Sequence, residues 1–194
     1  MGTKISALTA LVGADATTTD LVPVVDVSAG TSGSKKMTLA EFEIGLRNTA
    51  VAARIVSLTG STSITAATHG DRVCVLNGTG SAFTQTLPAA TGSGARFLFL
   101  VGAVNTSNHL IKVTGNDVMY GNIITNSTGD TPDLAQPWPT AIDSDTITLN
   151  GTTTGGQAVG DFVELVDFAT DKWWVYGITT TSGTEATPFS ATVT

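Results

Sequence analysis

From residue 61 onward the chain alternates short apolar runs with Gly, Pro, Asn and Asp. Runs of strand length bounded by turn residues predict β-strands. The pattern places strands at 71–76, 83–87, 96–104, 110–113 and 146–149. Asn77-Gly78 and Asn150-Gly151 are tight-turn signals, because Asn and Gly tolerate positive φ. Pro88 stops the second strand, and 96–104 is apolar enough to be a buried one. Residues 161–168 and 173–178 predict a hairpin across Ala169-Thr170-Asp171-Lys172. Pro132, Pro137 and Pro139 mark 130–139 as an irregular loop. Together these make residues 59–194 a β domain, read as an antiparallel β-sandwich or barrel-like fold. Gly70-Asp71-Arg72-Val73 echoes Gly160-Asp161-Phe162-Val163, either as a duplicated hairpin or as a recurrent turn into a strand. No regular solenoid or propeller period is visible.

The first 58 residues read differently. Residues 1–37 hold apolar clusters without a helical period, including Leu21, Val22, Val24 and Val25. Pro23 disfavours helix and lacks a backbone donor. This zone predicts an extended attachment arm with short strands and a small-residue stretch at 28–34. Leu21, Val22, Val24 and Val25 are its candidate anchors. Residues 38–58 predict a short helix and connector. Thr38-Leu39-Ala40-Glu41 has the capping-box pattern, in which Thr38 accepts from the Glu41 amide and the Glu41 carboxylate reaches back. Leu39, Phe42 and Leu46 then share a face, while Gly45 weakens the helix and Asn48 ends it. Residues 50–58 fit either more helix or a first strand.

Composition narrows the class. Only 13% of the 194 residues are charged, against roughly 25% in typical soluble proteins. The 41% apolar share excludes a disordered composition. No apolar run reaches the ~20 residues of a spanning helix, so no membrane partner is expected. The net charge is −7, with no basic cluster beyond Lys35-Lys36, which argues against nucleic acid. Met1–Leu11 lacks the ordered regions of a signal peptide. Cys74, the single cysteine, allows no intrachain disulfide and reads as a core thiol. Together these features fit synthesis in a reducing cytoplasm. A surface this poor in charge favours burial against copies of itself. Many short strands with edges to protect point the same way, to a homotrimer.

Candidate chemistry is sparse. His69 and His109 have no metal-ligand spacing. Asp143-Ser144-Asp145 lacks the glycine and distal Glu of a calcium loop. The four Asn-X-Ser/Thr triplets are expected by chance in a Thr- and Ser-rich chain. Thr91-Gly-Ser-Gly is not followed by the Gly-Lys-Ser/Thr of a phosphate loop. No nucleophile, base and orienting group converge, so neither an enzyme nor a cofactor is expected. Trp173 and Trp174 are adjacent, so in a strand they face opposite sides. One is assigned to the core and the other to a subunit interface. The alternative is a carbohydrate-binding module using Trp138, Trp173 or Trp174.

One resemblance adds to this reading. Lys4-Ile5-Ser6-Ala7-Leu8, Gly13-Ala14-Asp15, residues 20–26 and Lys35-Lys36-Met37-Thr38-Leu39-Ala40-Glu41 resemble the start of tailed-bacteriophage structural proteins. There the segment looks like a particle-attachment arm leading into a helix. Thr-Leu-Pro-Ala-Ala-Thr-Gly-Ser-Gly at 86–94, followed by an apolar strand, resembles phage fibre and head-decoration domains. So does the late Trp173-Trp174-Val175-Tyr176 strand. The resemblance implies a non-enzymatic, trimeric virion protein partnered by the major capsid protein or another virion protein. Without a long distal region, it favours capsid cement or head decoration over a tail-fibre or tail-adaptor role.

Overall fold

The computed structural model describes residues 21–26, 33–40, 42, 54–128 and 134–191. The chain forms two compact units, 1–53 and 54–194. In the first, β1 (Leu21–Asp26) and β2 (Gly33–Thr38) pair antiparallel, Leu21 opposite Thr38 and Asp26 opposite Gly33. Over the described residues the expected extended arm is therefore a two-stranded ribbon. Its β-branched residues pair their backbone groups, and Pro23 is tolerated because a ribbon leaves each strand one free edge. Gly33 and Ser34, read as part of a flexible stretch, belong to β2. Leu39, Ala40 and Phe42 are helical, so the helix starts directly after Thr38. Glu41 and Leu46 lie outside the described residues.

The second unit begins at Arg54, inside the stretch assigned to the connector. β3 (Ile55–Leu58) is a strand, and Leu58 is buried. Parallel pairing with β5 recruits it, a partner invisible in the local sequence. The remaining elements are β4 (Thr62–Ser63), α1 (Ala66–His69), β5 (Val73–Leu76), β6 (Phe83–Thr86), β7 (Arg96–Val101) and β8 (His109–Lys112). After them come β9 (Val118–Ser127), β10 (Ala135–Pro139), β11 (Thr146–Leu149), β12 (Phe162–Ala169), β13 (Lys172–Thr181) and β14 (Phe189–Ser190).

The unit is mainly β, in two mixed sheets among the described residues. The larger has the order β10-β9-β13-β12-β7-β5-β3 and the smaller β14-β11-β8-β6-β4. From β3 to β8 the chain alternates between them, and neighbours within each sheet run parallel. These are three coils of a two-sheet solenoid, unequal in length and without a shared sequence repeat. Asn77-Gly78 accordingly leads from one sheet to the other and closes no hairpin. Antiparallel pairing enters later, through β10 on β9, β11 on β8 and β12 on β7. The β12–β13 hairpin is inserted between β7 and β9, so it joins the coils to the later strands. β5 and β12 flank β7 in opposite directions, so the Gly-Asp echo is a turn into a strand and not a duplicated hairpin.

The inward phases of both sheets meet in one core. Cys74 and Leu76, Phe97 and Phe99, Val163 and Leu165, and Trp173 and Val175 come from the larger sheet. Ile111, Ile147 and Leu149 come from the smaller. Phe97 meets the Trp173 ring edge-on at 5.7 Å. β9 approaches β13 so closely at Gly121 that a Cβ there would lie 1.9 Å from the Val175 carbonyl oxygen. Gly121 has φ 149°, open to glycine and unfavourable for other residues.

Two buried carboxylates fasten the connection between β6 and β7 to this hairpin. Asp167, 3% exposed, accepts from the backbone N–H groups of Thr91, Gly92 and Ser93 at 2.6–3.1 Å. It also accepts from the Thr91 and Ser93 hydroxyls at 3.1 and 2.6 Å. Asp117 accepts from the Ala90 N–H at 2.7 Å and from Trp173 Nε1 at 3.1 Å. The Thr-Gly-Ser-Gly stretch is thus a cradle of donors around an internal carboxylate. Burial alone would raise the Asp167 pKa, but the bonds from Ser93, Gly92 and Thr91 outweigh it and bring it from 3.8 to about 2.

Replacing Asp167 by Ala should lower the urea midpoint without changing the slope, a loss of roughly 2–4 kcal/mol. The carboxylate titrates lower when folded than when unfolded. Its contribution is therefore complete above pH 3.8 and fades as pH falls toward 2. Stability measured from pH 5 to 2 should show parent and variant converging; a constant gap would contradict this assignment.

Candidate interaction surface

A strand with one face in a core and one in water alternates apolar with polar residues. Several strands of the larger sheet do not. In β12, Phe162 and Val166 point away from the core-facing Val163 and Leu165, and in β13 Trp174, Tyr176 and Ile178 oppose Trp173 and Val175. In β7, Leu98 and Leu100 alternate with buried Phe97 and Phe99. Both phases are apolar, the pattern of strands covered on both sides.

Register assembles these outward residues into rows. One row runs Ile124, Ile178, Phe162, Leu100 and Val75. Another runs Tyr120, Trp174, Val166 and Arg96. The aromatic rings touch: Trp174 and Tyr176 stack at 6.2 Å and 16°, Phe162 meets Tyr176 edge-on at 6.3 Å, and Tyr120 meets Phe168 edge-on at 6.2 Å. Trp174 is 41% exposed, Phe168 49% and Ile55 69%. Six strands at ~4.8 Å spacing and three rows of side chains give roughly 500 Å² of sheet. That is the usual size of the largest such patch on a monomer, which is often functional. The outer face of the smaller sheet is more polar, carrying Thr84, Thr86, Lys112 and Thr148 around Leu110.

One ion pair lies within the apolar face. Arg96 Nε donates to Glu164 Oε1 at 2.7 Å, and Arg96 Nη2 contacts the same oxygen. The Glu164 carboxylate holds the Arg96 pKa above its ordinary value. Beside the pair is an open cavity of about 230 Å³, lined by Asp71, Arg72, Val73, Arg96, Leu98 and Glu164. Arg72 Nη1 is tied to the Thr68 carbonyl at 2.8 Å, which fixes one wall.

Of the residues singled out in the sequence, Trp173 is fully buried and Trp174 exposed on the opposite face. Trp138 packs partly against the core and donates from Nε1 to Thr125 Oγ1 at 2.9 Å. Leu21, Val22, Val24 and Val25 all lie on β1, opposite Thr38, Met37, Lys35 and Ser34. Thr38 ends β2 at the helix start. Among the described residues no three of His, Cys, Asp and Glu gather as a metal site, and no helix is long and apolar enough to cross a membrane. Cys74 is buried, and burial pushes its thiol up to about 11 despite nearby Arg72. Tyr120, Phe168 and Arg96 were not singled out from sequence. Only Phe168 had a local signal, the apolar residues on both phases of 162–168; Tyr120 and Arg96 join the face through register with distant strands.

His69 accepts the Thr65 N–H at Nδ1, 3.0 Å away, within its one-turn helix. His109 is 2% exposed at the start of β8 and stacks on Phe83 at 6.2 Å. Neither of its ring nitrogens has a partner of hydrogen-bonding geometry. Burial lowers its pKa from 6.5, opposed in part by the Ala103 backbone. No protein-family model, curated protein or solved structure matches this chain.

A buried neutral His109 gives stability a defined pH slope. The unfolded chain binds its proton near pH 6.5, while the folded one resists it. Stability should therefore fall as pH drops below 6.5. A His109→Leu variant should show a smaller fall in Tm between pH 7.5 and 5.5; equal falls would reject the role.

Proposed function

We propose that this chain is a non-enzymatic structural protein of a bacteriophage particle, a homotrimeric capsid cement or head-decoration protein attached through its N-terminal residues. The observation that carries the reading is the outer face of the larger sheet. A chain that leaves stacked aromatic and β-branched side chains half-exposed across six strands gains free energy by covering them. A protein that works by assembling has that need built into its fold. The low charge content points the same way. The amino-terminal resemblance to tailed-phage structural proteins supplies the virion context. The β1–β2 ribbon supports an attachment role, because isolated two-stranded ribbons are marginal and gain from a further surface. Its partner is the major capsid protein or another virion protein. Tail-fibre and tail-adaptor roles are the near variants.

A second reading rests on Trp174. Its exposed ring, stacked on Tyr176, forms a strip on which a sugar ring can lie. A virion carbohydrate-binding module would use that strip. Glycan-array binding that disappears on Trp174→Ala, with the oligomer intact, would favour this reading.

Light scattering on the full chain should give about three times the 19.8 kDa monomer mass. A monodisperse monomer at micromolar concentration would reject the homotrimer. Removing residues 1–37 should leave the β unit folded and oligomeric but unable to decorate particles. Full occupancy by the truncated chain, imaged on particles, would move attachment into residues 38–194.

A further inference from the structure

The open cavity beside Arg96 adjoins the Trp174–Tyr176 strip. Tyr176 pairs with Glu164, Glu164 with Leu98, and Leu98 with Val73, so one register row runs from the strip into the cavity. From Tyr176 on β13 to Leu98 on β7 is two strands, about 10 Å. The Trp174 and Tyr176 rings, only 16° from parallel, stand at one end of this span. The cavity, about 230 Å³, stands at the other.

The cavity lining is balanced in charge and in hydrogen-bonding type. Arg72 and Arg96 supply donors only, Asp71 and Glu164 supply acceptors only, and Val73 and Leu98 supply apolar wall. Two of these side chains are held in place, Arg72 Nη1 on the Thr68 carbonyl at 2.8 Å and Arg96 Nε on Glu164 at 2.7 Å. Both Arg96 contacts fall on Glu164 Oε1, which leaves Oε2 for a ligand. An anion entering here would meet two carboxylates, and a cation would meet two guanidiniums. A purely apolar group would cover all four without replacing their water. A hydroxyl donates and accepts at once, so a neutral ring bearing several hydroxyls uses both sets. The C–H face of such a ring suits Val73, Leu98 and the aromatic faces of Tyr176 and Trp174.

We propose that the Arg72–Arg96 cavity binds a neutral pyranose, with the Trp174–Tyr176 strip holding the next sugar of the same glycan. This rests on the carbohydrate reading of Trp174, with the face open to solvent, and deepens it. The strip supplies stacking, which any pyranose satisfies; the cavity supplies selection. That selection favours hydroxyls over charge, because Asp71 and Glu164 act against carboxylated and sulfated sugars. Side chains held in place before the ligand arrives lower the ordering cost of binding.

The test uses the full-length chain and heteronuclear NMR, reading the Arg96 Nε–H and Trp174 indole N–H signals. The probes are methyl glycosides of glucose, galactose, mannose and N-acetylglucosamine and their disaccharides, with sialic acid as the anionic probe and glycine as the zwitterionic one. At least one neutral glycoside should shift the Arg96 signal at millimolar concentration, and its disaccharide should shift Trp174 as well. Glu164→Gln removes one acceptor charge and leaves the cavity net positive. It should weaken the neutral glycoside roughly tenfold and admit sialic acid. The proposal is overturned if sialic acid or glycine binds the parent in place of the neutral glycosides, or if Glu164→Gln binds all probes as the parent does. A disaccharide that shifts Trp174 and not Arg96 would reject the cavity and spare the strip reading. Glycosides that move neither signal would reject both together.

Discussion

The β unit depends on two carboxylates placed where water does not reach. Asp167 and Asp117 draw the 88–95 connection onto the β12–β13 hairpin by accepting from the backbone N–H groups of Ala90, Thr91, Gly92 and Ser93. Ala90 is buried, and leaving its N–H without a partner would cost about 1–3 kcal/mol. The same two side chains also grip Trp173 and the Thr91 and Ser93 hydroxyls. The β12–β7 ladder joins the hairpin to the coils built from β3 to β8, and the carboxylates add a second attachment through the 88–95 connection.

That link sets the external surface. Inserting the hairpin between β7 and β9 makes β13, β12 and β7 consecutive, so their outward residues become one face. Trp174, Val166 and Arg96 come from separate strands and share a row only because of this topology. The interior carboxylates and the exterior aromatic patch are thus two consequences of one insertion. Core packing on Trp173 fixes the direction of its neighbour, since consecutive strand residues face opposite ways.

The two units differ in how they satisfy themselves. The second has a closed core and internal carboxylate anchors. The described strands of the first form a ribbon, and its backbone pairing is local. Under the proposed function the first unit attaches to the particle and the second carries its own core. That division also separates the tests: particle attachment reports on the first 37 residues, and oligomeric mass on the second unit.

Local patterning in the sequence determined β5, β6, β7, β8 and β11, the hairpin across 169–172, the helix start after Thr38 and the opposed directions of Trp173 and Trp174. Each of these depends on neighbours a few residues away: alternation, turn residues or a cap. The same patterning left β9 unread and took β10, with its prolines, for an irregular loop. Tertiary structure alone decided which strands pair. β3 is a strand because Ile55 lies beside Val73, and β13 runs parallel to β9 across more than fifty residues of chain. The Thr-Gly-Ser-Gly stretch is a carboxylate cradle because Asp167, far along the sequence, arrives beside it. The Trp174 patch was half legible, since both phases of its strand are apolar. Its partners Tyr120 and Arg96 were not, because register between distant strands is set by the packed core and leaves no mark in either strand alone.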